Sequence, residues 1–182
     1  MHIIFSLKKN TLMRFALVSC CVMGSLVQAD QICRTEQGLR TPDEAFVLHA
    51  DGTVTHKTSD LMWMRCSLGQ RWQAGRCLGR ADNLTWPDAM AEADRIRFAD
   101  YADWRLPTLR ELSSIIDHSC RSPAINLRTF PDTPTSWYWS STRYAYQNTL
   151  SWGVYFDMGY QDYSGRYLPS HVRLVRSAGS GD

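Results

Sequence analysis

From residue 46 to residue 176 the apolar positions fall into short alternating runs, interrupted twice by helical spacing. Phe46 to His49 and Thr53 to Lys57 flank Asp51-Gly52, a pair that accepts positive φ, so they predict a β-hairpin. Leu61 to Arg65 follows the turn Thr58-Ser59-Asp60 as the next strand. Residues 67–84 read as a polar loop. Trp86, Met90, Ala93 and Ile96 then recur at helical spacing, behind Thr85 as N-cap, Asp88 at N3 and Pro87 in the first turn. The stretch Asp103 to Leu112 organises the chain. Trp104 and Leu106 alternate with Arg105 as a short strand, and Pro107 ends it by lacking a ladder donor. Thr108 and Glu111 have the spacing of a capping box, and Leu109, Leu112, Ile115 and Ile116 give the second helix one apolar face.

Beyond that helix, Ser122-Pro123 and Pro131 to Pro134 mark irregular chain. Trp137 to Thr142 and Leu150 to Phe156 read as strands, with Asp157-Met158-Gly159 as a turn. Tyr160 to Tyr167 reads either as a returning strand or as a surface loop, and Val172 to Arg176 closes the sheet. Two helices among short antiparallel strands make the class α+β. The predicted organisation is a leader over residues 1–29, an arm over 30–45, one domain over 46–176 and a frayed tail over 177–182.

The leader changes how charge and cysteines count. Lys8, Lys9 and Arg14 precede an apolar run from Phe15 to Val27 that is too short to span a bilayer, and Val27-Gln28-Ala29 suits signal cleavage. The expectation is export to the periplasm or cell surface. Leu17-Val18-Ser19-Cys20 offers lipidation of Cys20 as the alternative. The leader takes three of the 20 basic residues and none of the 18 acidic ones, leaving one net negative charge. A nucleic-acid partner would need a basic surplus, so none is expected. Cys33, Cys66, Cys77 and Cys120 remain, an even set for an exported chain. Of three pairings, the reading chosen is Cys66–Cys77, closing a local loop, and Cys33–Cys120, tying the arm to the end of the second helix. No Cys-x-x-Cys pair suggests zinc.

Seven of the eight tyrosines lie between Tyr138 and Tyr167, beside Trp137, Trp139 and Trp152. Tyr offers a broad contact face with a polar tip, a mix suited to binding. The same rings also serve as strand formers packing a sheet. The division predicted here sends Trp139, Trp152 and Phe156 to the core. Tyr144, Tyr146, Tyr160, Tyr163 and Tyr167 go to loops facing a ligand, with Arg143, Arg166 and Arg128 as partners for an anionic group. No cofactor and no metal are expected: Asp100, Asp103, Asp157 and Asp162 sit in no calcium-loop pattern. Catalytic motifs are missing too. There is no Gly-x-Ser-x-Gly or His-Glu-x-x-His string, and His49, His56, His118 and His171 have no assignable partner.

The string Trp104-Arg105-Leu106-Pro107-Thr108-Leu109-Arg110-Glu111-Leu112 is followed by Trp139-Ser140-Ser141-Thr142 and Val172-Arg173-Leu174-Val175-Arg176. In that order they resemble the C-terminal domain family of the Legionella collagen-like protein, over about Gly52 to Arg176. The resemblance implies a C-type-lectin-like fold, shared with the formylglycine-generating-enzyme group. It makes Trp104, Arg105, Leu106, Pro107, Thr108, Glu111 and Trp139 structural motif positions. The family's namesake is an adhesin for sulfated glycans, although no Gly-X-Y tract occurs here. The resulting expectation is an exported, non-enzymatic module that binds a glycan or a protein. The alternatives are a structural subunit of a surface assembly, with self-association through the aromatic face, and a formylglycine-enzyme-like oxidase.

Overall fold

In the computed structural model the chain is described over residues 31–179, apart from Thr35 and Gln37; the leader with Cys20, and residues 180–182, lie outside the described residues. A four-stranded antiparallel sheet joins both ends of the domain. It contains β2 (Phe46–Leu48), β3 (Thr53–His56), β4 (Leu61–Met64) and β11 (Val175–Ser177), in the order β11-β4-β3-β2. The β2–β3 hairpin forms as expected, but only Gly52 takes positive φ, at 90°. Asp51 instead uses its carboxylate, which accepts from the Thr53 N–H at 2.8 Å. A Cβ at residue 52 would lie 2.5 Å from the Trp72 ring, so the turn also needs glycine for space.

A second sheet has the order β10-β9-β8, from β8 (Trp137–Arg143), β9 (Leu150–Tyr155) and β10 (Tyr160–Gly165). The β8 strand is buried on both faces. Tyr138 and Trp139 point to opposite sides, and both are fully buried, each in a different hydrophobic cluster. Two ribbons complete the fold: β1 (Ile32–Cys33) with β7 (Cys120–Arg121), and β5 (Arg71–Gln73) with β6 (Arg76–Leu78). The latter corrects the reading of residues 67–84 as irregular loop. Ala74 and Gly75 take φ of 48° and 84°, a tight turn that the composition of the segment concealed. The tail is corrected as well: Ser177 lies in β11, and Ala178 is buried and bonded to the Asp60 carbonyl.

Helix α1 (Trp86–Arg95) starts at Thr85, whose hydroxyl oxygen accepts from the Asp88 N–H. It buries Trp86, Ala89 and Ala93, while Met90 pairs with the core only partly. Helix α2 (Leu109–Ser113) is one and a half turns long, shorter than the apolar pattern suggested, and Ile115 and Ile116 are buried in the turn after it. Its capping box is complete. Arg105 grips Glu111 with two nitrogens at 2.7 and 2.8 Å, and Glu111 also accepts from the Thr108 N–H at 2.7 Å. Arg105 bridges to Val175, and Pro107 accepts from the Ser141 N–H, so the motif ties α2 to both sheets. Trp104 and Leu106 are buried on the other side of Arg105. The predicted strand there is reduced to this single bridge.

Two disulfides hold the periphery, Cys33–Cys120 and Cys66–Cys77. The arm is integral to the domain. Cys33 is opposite Cys120 in the β1–β7 ribbon, and Gln31 donates to the carbonyls of Pro123 and Ile125 at 2.7 and 2.6 Å. The fully buried Asp117 accepts from the Thr41 N–H and hydroxyl and from the Ser119 and Arg40 N–H groups. Arg173 is fully buried with no acidic partner among the described residues. It donates to the Met64 and Arg65 carbonyls and to Thr133 Oγ1, and lies over the Phe130 ring.

Four carboxyls sit below their ordinary range. Burial would raise Asp117, but its four donors outweigh burial; Arg105 lowers Glu111, Arg76 lowers Asp132 and Arg176 lowers Asp103. A carboxyl with a depressed folded value stabilises the fold above its unfolded value, about pH 4, and loses that contribution as the pH falls through the folded value. The melting temperature is therefore expected to hold from pH 7 to about pH 5 and drop below pH 4. Asp117→Asn, which breaks the acceptor set, should cost about 1–3 kcal/mol at neutral pH and flatten part of the acid slope in thermal melts.

Candidate functional site

The far end of the β8–β9–β10 sheet carries the exposed aromatics. Trp152 on β9 stands directly opposite Tyr163 on β10, with ring centroids 5.6 Å apart. Tyr144 packs on both, at 4.2 Å from Tyr163 and 5.7 Å from Trp152, and Tyr146 adds a fourth ring at 5.7 Å from Tyr144. Partial burial first, and then the neighbouring Tyr163, push the Tyr144 phenol above its ordinary value. Tyr146 is 90 % exposed, so the cluster ends in solvent. Trp152 is only partly buried and belongs to this surface rather than to the core, unlike Trp139 and Phe156.

Arg143 and Ser151 form the adjacent cross-strand pair after a bulge in β8. Being next to Tyr144 and Trp152 in sequence, they issue on the other face of the sheet. There Arg166 Nε donates to Ser151 Oγ at 2.8 Å, and the Arg166 guanidinium lies 4.4 Å from the centre of the Trp86 ring. Arg143 approaches the same ring at 5.9 Å. Two cations thus share one indole, and neither has an acidic partner among the described residues. Burial, and then the charge of Arg143, hold Arg166 below its ordinary pKa. Its Nη2 is buried with no hydrogen-bond partner. Beside it an open cleft of about 290 Å³ is lined by Thr85, Pro87, Thr149, Arg166 and Tyr167. The Tyr167 ring stands 74 % exposed over Gly165, where a Cβ would come within 2.8 Å of it.

The predicted residues therefore divide. Tyr144, Tyr146 and Tyr163 form one group with Trp152; Arg143, Arg166 and Tyr167 form a second with Trp86. Tyr160 joins neither. It lies in β10 opposite Tyr155, 5.3 Å from it, and strand alternation puts this pair on the face away from Tyr163. Tyr160 and Tyr163 are strand residues, not loop residues. Arg128 is elsewhere, paired with Asp43 at 3.1 Å. Trp86, Thr85, Pro87 and Thr149 were missed. Trp86 carried only a helical core signal, and its indole is indeed walled into the core while its π-face serves the arginines.

Among the described residues no three His, Cys, Asp or Glu side chains gather as a metal site, and no helix is long and apolar enough to cross a membrane. No curated protein matches the chain. The family profile described as the Lcl C-terminal domain matches residues 52–176. That span holds the Trp104–Glu111 motif, both sheets except β2 and Ser177, and both groups of the aromatic end. Covering well over half of the sequence, it shows that the chain belongs to the Lcl C-terminal domain family.

Proposed function

We propose that this protein is an exported, non-enzymatic binding module whose ligand is an anionic glycan, held at the end of the β8–β9–β10 sheet. The observation that carries the reading is the Arg143–Arg166 pair on Trp86, two guanidiniums without a carboxylate partner among the described residues, with Arg166 lining an open cleft. Arg forks match sulfate and carboxylate oxygens, and the exposed Tyr167 ring offers a stacking face for a sugar. The Tyr144, Tyr146, Trp152 and Tyr163 surface around the sheet end would extend the contact along a chain ligand. Export is supported by two disulfides, which persist in oxidising compartments. The non-enzymatic reading is supported by the same bonds, which occupy all four cysteines of the described region. A C-type-lectin-like topology is supported by two helices framing antiparallel sheets and by the pairing of the final strand with β4.

Residues 30–182 applied to an array of neutral, carboxylated and sulfated glycans test the proposal. Binding is expected to favour the charged glycans and to weaken steeply with salt. Arg143→Ala with Arg166→Lys should weaken it at least tenfold at an unchanged melting temperature. Tyr144→Ala with Tyr163→Ala should reduce affinity for long ligands more than for short ones. Equal binding to neutral and charged glycans, or full retention in the arginine variant, would refute the assignment.

A further inference from the structure

At the other disulfide-bonded pole, the β1–β7 ribbon presents a basic face that the proposed glycan site does not use. The register places Ile32 opposite Arg121 and Cys33 opposite Cys120, and the Arg34 N–H donates to the Ser119 carbonyl at 2.8 Å. Alternation then puts Ile32, Arg34, Ser119 and Arg121 on one face of the ribbon. Two residues per strand could not hold this register alone, and the Cys33–Cys120 bond fixes it. A cavity of about 250 Å³ opens over this face, lined by both arginines, His118 and Ser119, with Ile32 and Met158 at its edge. A neighbouring cavity of about 320 Å³ shares Arg34 and His118 and adds Arg40 and Glu36. None of the three arginines has an acidic partner among the described residues. The buried acid Asp117 is saturated by the donors of residues 40, 41 and 119. Ile32 and Met158 are 51 % and 59 % exposed, so an apolar rim borders the charge.

We propose that this face binds the phosphate headgroup of an anionic lipid at a membrane surface. Arg34 and Arg121 flank the phosphate, with the His118 ring beside them, and Ile32 and Met158 dip into the acyl boundary. Two unpaired forks in one cavity call for an oxyanion, and the adjoining apolar pair favours an amphiphile over a free ion. Arg34 and Ile32 lie before the family match begins, so the site is built jointly by this chain's own arm and the shared domain.

Co-sedimentation of residues 30–182 with phosphatidylcholine vesicles, with and without phosphatidic acid, tests this. Phosphatidic acid is expected to raise the bound fraction at least tenfold. Arg34→Gln with Arg121→Gln should abolish the gain, and Ile32→Ser with Met158→Gln should cut it several-fold, each with unchanged near-UV circular dichroism. Arg143→Ala with Arg166→Lys, at the glycan site, should leave it intact. Equal binding to both vesicles, or loss only in the Arg143 variant, would overturn the proposal. Titration with inorganic phosphate separates the sources: saturation at micromolar phosphate, with no preference for vesicles, would replace the lipid by the free ion.

Discussion

Replacing Arg173 by methionine is expected to lower the unfolding free energy by about 3–5 kcal/mol. The side chain has no contact with water and no acidic partner among the described residues, so its hydrogen bonds carry the compensation for its burial. It reaches the carbonyls of Met64 and Arg65 at the end of β4 and Thr133 in the segment after Phe130, from its own place just before β11. Two effects oppose each other. Removing a buried charge relieves desolvation, which can make a hydrophobic replacement neutral. Methionine, however, abandons several acceptors at once, each costing about 1–3 kcal/mol when left buried and unpaired, and the tie between the end of β4 and the segment after Phe130 is lost with them. The second effect is the larger here. Lysine should not rescue, because a compact ammonium cannot present a planar fork to acceptors on separate segments. Guanidinium denaturation of both variants decides the matter. A change below about 1 kcal/mol would mean that desolvation cancels the bonds.

Removing the Cys33–Cys120 bond as an alanine pair is expected to cost about 4.6 kcal/mol, more than the about 3 kcal/mol for Cys66–Cys77. The difference follows from loop length, since the sequence separations are 87 and 11 residues. Without the long cross-link the unfolded chain regains far more freedom. The arm keeps its clamps on Asp117 and on the carbonyls of Pro123 and Ile125, so the domain should still fold at low temperature. Urea titration of the two double variants, with and without reductant, checks both values and their order. An equal loss from either pair would show that the native arm, rather than the unfolded chain, dominates the effect.

What the sequence disclosed was local. The Thr108–Glu111 box, the Thr85 cap and the β2–β3 hairpin depend on residues a few positions apart, and each is present. Both disulfides follow the predicted pairing. The errors came from long-range structure. Trp152 reads as a core strand residue, but the strand beyond it ends in solvent and its ring faces Tyr144 and Tyr163. Tyr160 and Tyr163 share one stretch, yet three positions along a strand separates their faces. Arg128 resembled Arg143 and Arg166 in composition alone, and Asp43 claims it. The role of Trp86 required knowing that β8 and the chain after β10 converge on α1, which no spacing along the sequence records.

The position of β11 also dictates when the domain can form. Met64 donates its N–H to the Leu174 carbonyl, and Arg105 exchanges two backbone bonds with Val175. Val172, Leu174 and Val175 fill both hydrophobic clusters. The last strand among the described residues is therefore needed for the first sheet to close, across loops that span most of the domain. Pairings this remote in sequence form slowly. Residues 172–177 are thus the closing segment of the domain: until they are in place, β4 lacks its outer partner and both clusters lack side chains.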